Sequence, residues 1–347
     1  MRRITMKHIA EIAGVSATTV SRAFHSPHTV RPETYNRILR ICKKNRYVYN
    51  ATAGDLSSKK STVIGLIIPT ARNSIFGKTI MVIQERAQEV GYSIMLGITN
   101  YNKMIEQRIL QQFLERQVAG LILTGFCIGQ EGYIKELVET GVPCVVRSEK
   151  LDNNDISYVG FDNFKAAYSM TEYLISLNHR RIGLIIGPFS KVGRVMSRLE
   201  GYRSALEKHS IPYDPSLVIE REPALIEGKE ATGLLMTLDD PPTALFAASD
   251  WLAIGAMDAV KQMGLCVPKD ISVAGFDDID VAAYIDPPLT TVRTPTHEIA
   301  EKSIEVLMEM INNNGTAKRQ YCFETDLIIR KSCSEFKDKE PKHLKRR

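Results

Sequence analysis

Between Thr62 and Arg330, short apolar runs rich in β-branched residues alternate with longer stretches of helical periodicity. The first run, V-I-G-L-I-I-P (63–69), shows no polar alternation, the pattern of a strand covered on both faces of a parallel sheet. S-I-M-L-G-I (93–98), A-G-L-I-L-T-G (119–125) and P-C-V-V-R-S (143–148) follow, separated by helical stretches at 76–91, 103–117 and 130–140. That order predicts a doubly wound α/β unit. A second unit repeats the rhythm with I-S-Y-V-G-F-D (156–162), R-I-G-L-I-I-G (181–187), T-A-L-F-A-A-S (243–249) and I-S-V-A-G-F-D (271–277). T-T-V-R-T (290–294), a helix over 295–311 and the stretch 321–330 add elements to either half. Two such halves joined by several crossings are built to close on a ligand at the carboxyl ends of their strands.

The first sixty residues are a different kind of chain. They hold twelve Lys/Arg against three Asp/Glu, a balance of +9, and residues 331–347 add +4, so the body between carries −8 within an overall +5. A basic module on an acidic body is the footprint of a nucleic-acid binder with a separate sensor domain. Two amphipathic helices meet in this module. The first, over 6–13, has Ile9, Ile12 and Ala13 on one face and ends at Gly14, where a left-handed turn needs no β-carbon. Val15 plugs the corner, and Ser16 suits the N-cap of a helix whose Val20 and Ala23 face inward. Ala17, Thr18, Thr19, Ser21 and Arg22 are left pointing out. Small and hydroxylated residues with one Arg fit a helix pressed into the DNA major groove. The bland alternative is an αα-corner in a larger helical domain, and the charge setting weighs against it. Pro32 opens a third helix with Ile38, Leu39, Ile41 and Cys42 apolar and Arg37, Arg40, Lys43 and Lys44 outside. Residues 47–61 read as a linker. Its lone Leu56 is either an ordinary surface leucine or an apolar wedge for the minor groove.

The six cysteines form no C-x-x-C pair, and four sit in apolar runs and read as buried free thiols. That usage fits neither a zinc site nor a disulfide framework, and points to a reducing cytosol. The start M-R-R-I-T-M-K-H has no apolar signal region, and no segment approaches a membrane span. Phosphate-loop, dinucleotide and nucleophile-elbow motifs are missing. His297-Glu298-Ile299-Ala300-Glu301 has Glu where a zinc protease motif needs its second His, so it reads as a helix start. No catalytic residue, metal or cofactor is expected.

The stretch I-T-M-K-H-I-A-E-I-A-G-V-S-A-T-T-V-S-R resembles the helix-turn-helix signature of the LacI/GalR family of bacterial repressors. The likeness continues through N-R-Y-V-Y-N-A-T-A-G-D-L-S-S-K-K, V-I-G-L-I-I-P, L-N-H-R-R-I-G, R-L-E-G-Y-R-S-A-L, S-D-W-L-A-I-G-A, V-P-K-D-I-S-V-A-G-F-D-D and P-P-L-T-T-V, covering residues 4 to about 332. The resemblance implies a three-helix DNA-binding domain (1–49), a hinge helix or linker (50–61) and a two-lobed body of doubly wound parallel sheets like that of periplasmic binding proteins (62–332). Its N-lobe is expected at about 62–161 and 291–321, its C-lobe at about 162–290 and 322–332. The basic tail 333–347 lies outside the likeness and is expected to be disordered. The chain would bind a pseudo-palindromic operator as a homodimer or tetramer in the bacterial cytoplasm, under control of a sugar, sugar acid or sugar phosphate. A cytosolic sugar-binding protein or a ligand-dependent activator are the alternatives.

Carried over residue by residue, Ala17, Thr18 and Arg22 match base-contacting positions, and Thr5, Ser16, Thr19, Ser21 and Asn50 match positions that mostly contact phosphates. Leu56 matches the residue inserted at the operator centre. Many relatives carry A-R-x-L there, whereas this chain has Ala53-Gly54-Asp55-Leu56, so its hinge helix should be weaker. Asn73, Phe76, Arg198, Ser249, Asp250 and Asp277 match positions that commonly line the pocket between the lobes. Asp277 is equally readable as a helix cap, and Trp251, the only tryptophan, as a sugar platform or a core residue. Arg147, Lys191 and Arg194 fall near the same edge and, with Arg198, point to an anionic ligand. V-G-F-D-N-F-K-A-A (159–167) is similar to the gluconate-type branch of the family and points the same way.

Overall fold

The computed structural model describes residues 4–25, 27–49, 61–127, 131–151, 156–188, 190–313 and 318–337. By its internal contacts the chain divides into two compact units, Met1–Thr62 and Val63–Arg347.

The smaller unit is built from α1 (Met6–Ala13), α2 (Ala17–His25) and α3 (Pro32–Lys44). Thr5 caps α1, its Oγ1 accepting from the amide of His8 at 3.4 Å, and Gly14 ends it at φ +63°. Ser16 caps α2, its Oγ accepting from the amide of Thr19 at 3.1 Å. Ile9, Ala10, Ala13, Val20, Ala23, Ile38 and Cys42 make the core. Ile12, expected on the inner face of α1, is instead 56% exposed. At 100° per residue the buried face centres between Ile9 and Ala10, which puts Ile12 on the far side. The stretch read as linker also begins later than expected. Tyr47 packs on this core, and Tyr49 stacks on Phe24 with ring centroids 4.7 Å apart.

The larger unit holds two six-stranded sheets. The first lobe contains β1 (Val63–Ile68), β2 (Ser93–Ile98), β3 (Gly120–Thr124), β4 (Cys144–Arg147), β5 (Ser157–Phe161) and β11 (Gln320–Phe323), in the order β11-β5-β4-β3-β1-β2, all parallel. Helices α4 (Ser74–Glu89), α5 (Lys103–Glu115), α6 (Glu131–Glu139) and α11 (Thr296–Asn312) belong to it. The second lobe contains β6 (Ile182–Ile186), β7 (Val218–Glu220), β8 (Ala244–Ala247), β9 (Ser272–Asp277), β10 (Thr290–Arg293) and β12 (Asp326–Ile328), in the order β12-β10-β9-β8-β6-β7. Only the β10–β12 pair is antiparallel. Its helices are α7 (Asn163–Ser176), α8 (Gly193–Lys208), α9 (Leu225–Met236) and α10 (Asp250–Gln262). The inner strands β1, β3, β4, β5, β6, β8 and β9 are buried nearly throughout, which is why they read as unbroken apolar runs.

Four expectations need correction. The lobes exchange chain at 294–295 and 324–325: β10 pairs with β9, while β11 belongs wholly to the first sheet. The edge strand β7 went unforeseen because it is only three residues long and half-buried, and the apolar stretch Leu217-Val218-Ile219 is too short to stand out. Three cysteines rather than four are buried (Cys42, Cys127, Cys144), while Cys333 is intermediate and Cys266 and Cys322 are exposed. The start of the tail is docked on the second lobe. The amide of Ser334 donates to Ser272 Oγ (3.1 Å), Ser334 Oγ donates to the carbonyl of Pro268 (3.3 Å), and the amide of Phe336 donates to the carbonyl of Leu177 (2.8 Å). Residues 338–347 lie outside the described residues.

Candidate functional site

On the smaller unit, capping fixes which side chains α2 presents. With Ser16 holding the first turn and Val20 and Ala23 inward, Thr18 and Arg22 stand exposed, and Ala17, Thr19 and Ser21 are half-buried beside them. Ser16 Oγ also lies 2.9 Å from Thr19 Oγ1, and Thr5 Oγ1 lies 2.8 Å from His8 Nδ1. Both caps therefore sit exposed at helix N-termini, where free amides and the helix dipole favour an anion such as phosphate. Lys7, Arg31, Arg37, Arg40, Lys43, Lys44 and Arg46 are exposed on the same unit. Asn50, Leu56 and the hinge sequence around Gly54 lie outside the described residues.

In the body, the carboxyl ends of both parallel sheets open on one cavity of about 60 Å³. Asn73, Phe76, Tyr101, Thr124, Arg147 and Phe161 line it from the first lobe, and Arg194, Arg198, Ser249 and Asp277 from the second. Ordinary ligand pockets are several times larger, so this geometry is a closed one. Two hydrogen bonds cross it: Asn73 Nδ2 donates to Asp277 Oδ2 at 3.5 Å, and Arg194 Nη1 donates to the carbonyl of Thr124 at 2.9 Å. Asn73 also caps α4, its Oδ1 accepting from the amide of Ile75 at 3.1 Å.

The charges are set by their surroundings. Arg198 Nε donates to Asn163 Oδ1 (2.9 Å) and Nη1 to the carbonyl of Ala248 (3.0 Å), with its guanidinium 3.7 Å over the Phe276 ring. Burial brings its pKa down to about 10. Burial lifts Asp277 to about 6, against the lowering pull of Arg198, Asn73 and Arg194. Asp277 and Asp278 hold φ of +116° and +56°, a strained pair of the kind found where a side chain must be aimed at a site. Arg147 is 1% exposed, and burial together with the charge of Arg194 pushes it down to about 9. Among the described residues, Arg147 Nε and Ser249 Oγ are buried without a hydrogen-bond partner.

Asn73, Phe76, Arg147, Arg198, Ser249 and Asp277, all singled out in the sequence, thus come to one cavity. Asp250 and Trp251 do not. Asp250 is fully buried, its Oδ2 accepting from the amide of Ile279 (2.8 Å) and its Oδ1 from Thr291 Oγ1 (2.6 Å). From the first turn of α10 it ties the ends of β9 and β10 together instead of facing the ligand edge. Burial, then repulsion from Asp277, keeps its carboxyl well above the usual range. Trp251 packs half-buried against the second-lobe core. Lys191 is exposed and does not line the cavity, whereas Arg194 does. Tyr101, Thr124 and Asn163 were missed. Asn163 carried a signal, since D-N directly after a strand places an amide at the ligand edge. His297 begins α11 and lies 3.5 Å from Glu301, one turn on. Among the described residues no cluster of His, Cys, Asp or Glu could hold a metal ion, and no helix is long and apolar enough to cross a membrane.

Comparison with known proteins gives two matching families. Residues 5–50 match the bacterial regulatory proteins of the lacI family, and residues 171–333 match a periplasmic binding protein-like domain. The HTH-type transcriptional repressor CytR of Escherichia coli (strain K12) is 31% identical, across 94% of this chain and 96% of its own. The ribose operon repressor of Haemophilus influenzae is 30% identical, across 96% and 99%. Among solved structures, the lac repressor dimer bound to operator and the anti-inducer ONPF aligns with a TM-score of 0.83 at 26% identity, across 96% of this chain and 100% of that one.

Proposed function

This chain belongs to the LacI family of bacterial regulatory proteins, and from that premise we propose that it is a homodimeric repressor whose grip on a pseudo-palindromic operator is set by a small molecule held between its lobes. That it is a DNA-binding transcriptional regulator follows from the family itself. Each subunit lays α2 in a half-site, with Arg22 on a guanine edge, Ala17 and Thr18 against thymine methyls, and Thr5, Ser16, Thr19, Ser21 and Asn50 on phosphates. Leu56 enters the minor groove at the operator centre.

The observation that carries ligand control is the cavity. Its walls come from both lobes, and Ser249 Oγ, buried in it, has no hydrogen-bond partner among the described residues. Buried polar groups are ordinarily satisfied, so an orphan at the ligand edge of two parallel sheets favours an incoming hydroxyl or anion. The chemistry of these walls, with Arg198, Asn73 and Asp277 converging, suits a polyhydroxylated ligand of the sugar, sugar acid or sugar phosphate class. Dimerisation draws support from apolar side chains left exposed: Met81, Leu96 and Met104 around the β2 edge, and Leu225, Ile226 and Leu234 on α9. Ligand closure moves one lobe against the other, changes the spacing of the paired hinges, and couples to operator affinity.

The test uses full-length protein and a palindromic duplex selected from a random pool, with binding read by fluorescence anisotropy. A ligand that raises the melting temperature should also change operator affinity. Equal operator affinity with and without every stabilising ligand would rule out ligand control.

A further inference from the structure

The charge inside the cavity is unevenly compensated. Arg198 has Asp277 near it, and the two shift each other's titration. Arg194 is anchored on the Thr124 carbonyl, and the Glu149 carboxylate lies beside it: a β-carbon placed at Gly125 would press on both, and one at Gly193 would meet Glu149 Oε1 at 2.9 Å. Arg147 has neither kind of support. It stands at the end of β4 with 1% of its surface exposed, and its Nη1 reaches only Thr124 Oγ1, at a long 3.4 Å. Its Nε has no acceptor, and no carboxylate lies within ion-pair distance among the described residues. The influences on its titration are burial and the like charge of Arg194, both unfavourable to the cation. A guanidinium buried without a counter-charge is costly, and it is retained most readily where a ligand brings the missing charge.

Resting on the effector reading above, we propose that the ligand bears an oxyanion, a carboxylate or a phosphate ester, that seats on Arg147 with Arg194 and Arg198 as its other cationic neighbours. The planar guanidinium supplies Nε and an Nη as parallel donors, the geometry that takes two oxygens of one such group. Ser249 Oγ and Asp277 then take the ligand's hydroxyls. Because Arg147 belongs to the first lobe and Arg194 and Arg198 to the second, one oxyanion is attracted to both walls at once. The same group that fills the site therefore also holds the lobes together, and a neutral sugar lacks that bridge.

The experiment is thermal melting of the full-length protein, wild type and Arg147→Met, against glucose, ribose, gluconate, glucose 6-phosphate and inorganic phosphate at millimolar concentration. Wild type should be stabilised by at least one anion and not by its neutral parent, and gluconate against glucose 6-phosphate separates carboxylate from phosphate. Methionine is close in length but carries no charge. Arg147→Met should melt no lower than wild type without ligand, and should bind the stabilising anion about 10- to 100-fold more weakly. Arg147→Gln, should the methionine variant fail to fold, is expected to show the same loss. Stabilisation by neutral sugars equal to that by anions, undiminished anion binding in the variant, or no shift with any anion would each overturn the proposal. The two readings fail separately. A neutral sugar that alters operator binding removes the anion and keeps ligand control, while an anion that binds through Arg147 without altering operator binding does the reverse.

Discussion

Arg22 and Asp277 carry residue-scale consequences that can be measured. Arg22 is exposed on α2, the one long cationic side chain among Ala17, Thr18, Thr19 and Ser21. Arg22→Ala should relax discrimination at one base pair of each half-site by about 1–3 kcal/mol, read as anisotropy across single-base operator variants. Asp277 has a pKa of about 6 in the folded protein, above the unfolded value of 3.8. Its stabilising contribution is therefore complete below the unfolded pKa and lost as pH rises through the folded one. Between pH 7 and pH 5 wild type should gain roughly 1 kcal/mol of stability relative to Asp277→Asn, measured by urea unfolding. A flat difference would show that Asp277 is ionised throughout. Residue types and strand ends were readable in the sequence, so seven cleft residues, Arg194 among them, could be named. Side-chain direction was not. Ser249 and Asp250 are neighbours at the start of α10, yet one lines the cavity and the other turns back to the amide of Ile279.

At the scale of elements, close backbone approach sets the packing of the second lobe. A β-carbon on Gly201 of α8 would run into the carbonyl of Phe164 and press on the amide of Tyr168, both in α7. Gly228 of α9 and Gly255 of α10 stand in the same relation to the backbones of Leu252 and Leu225. Alanine is the better helix former, by about 1 kcal/mol over glycine. Gly201→Ala should nonetheless destabilise the body by about 1–3 kcal/mol in urea unfolding, because overpacking outweighs propensity here. In the hinge the sign reverses. Gly54→Arg, at a position outside the described residues, should tighten operator binding by up to about tenfold through helix propensity and an added cation, measured by anisotropy at fixed salt. The strands and helices of the body were legible because burial on both sheet faces leaves an unmistakable apolar run. β7 was not, being too short for its apolar stretch to stand out. The docking of 333–337 also left no pattern, since it rests on backbone hydrogen bonds and on scattered side-chain contacts such as Phe336 against His179 and Asn178 to Glu335.

For the whole molecule, the division of charge and the two-lobed body describe one device: a basic reader whose hold on DNA is set by what fills a cleft. The division was visible in the sequence as +9 over residues 1–60 against −8 over 61–330. Where the chain passes between lobes was less visible, because crossings are set by which strands pair and not by local composition. Operator binding should weaken steeply with salt, and Lys59→Ala should lower the slope of log affinity against log salt by about one without changing base preference. Ligand control of DNA binding requires reciprocal linkage. Operator affinity of the full-length protein is measured with and without a saturating stabilising ligand, and ligand affinity with and without saturating operator. The same fold-change is expected in both directions, in the range of about 5- to 150-fold. A ligand that binds the cleft equally well on free and operator-bound protein, and leaves operator affinity unmoved, would contradict ligand control.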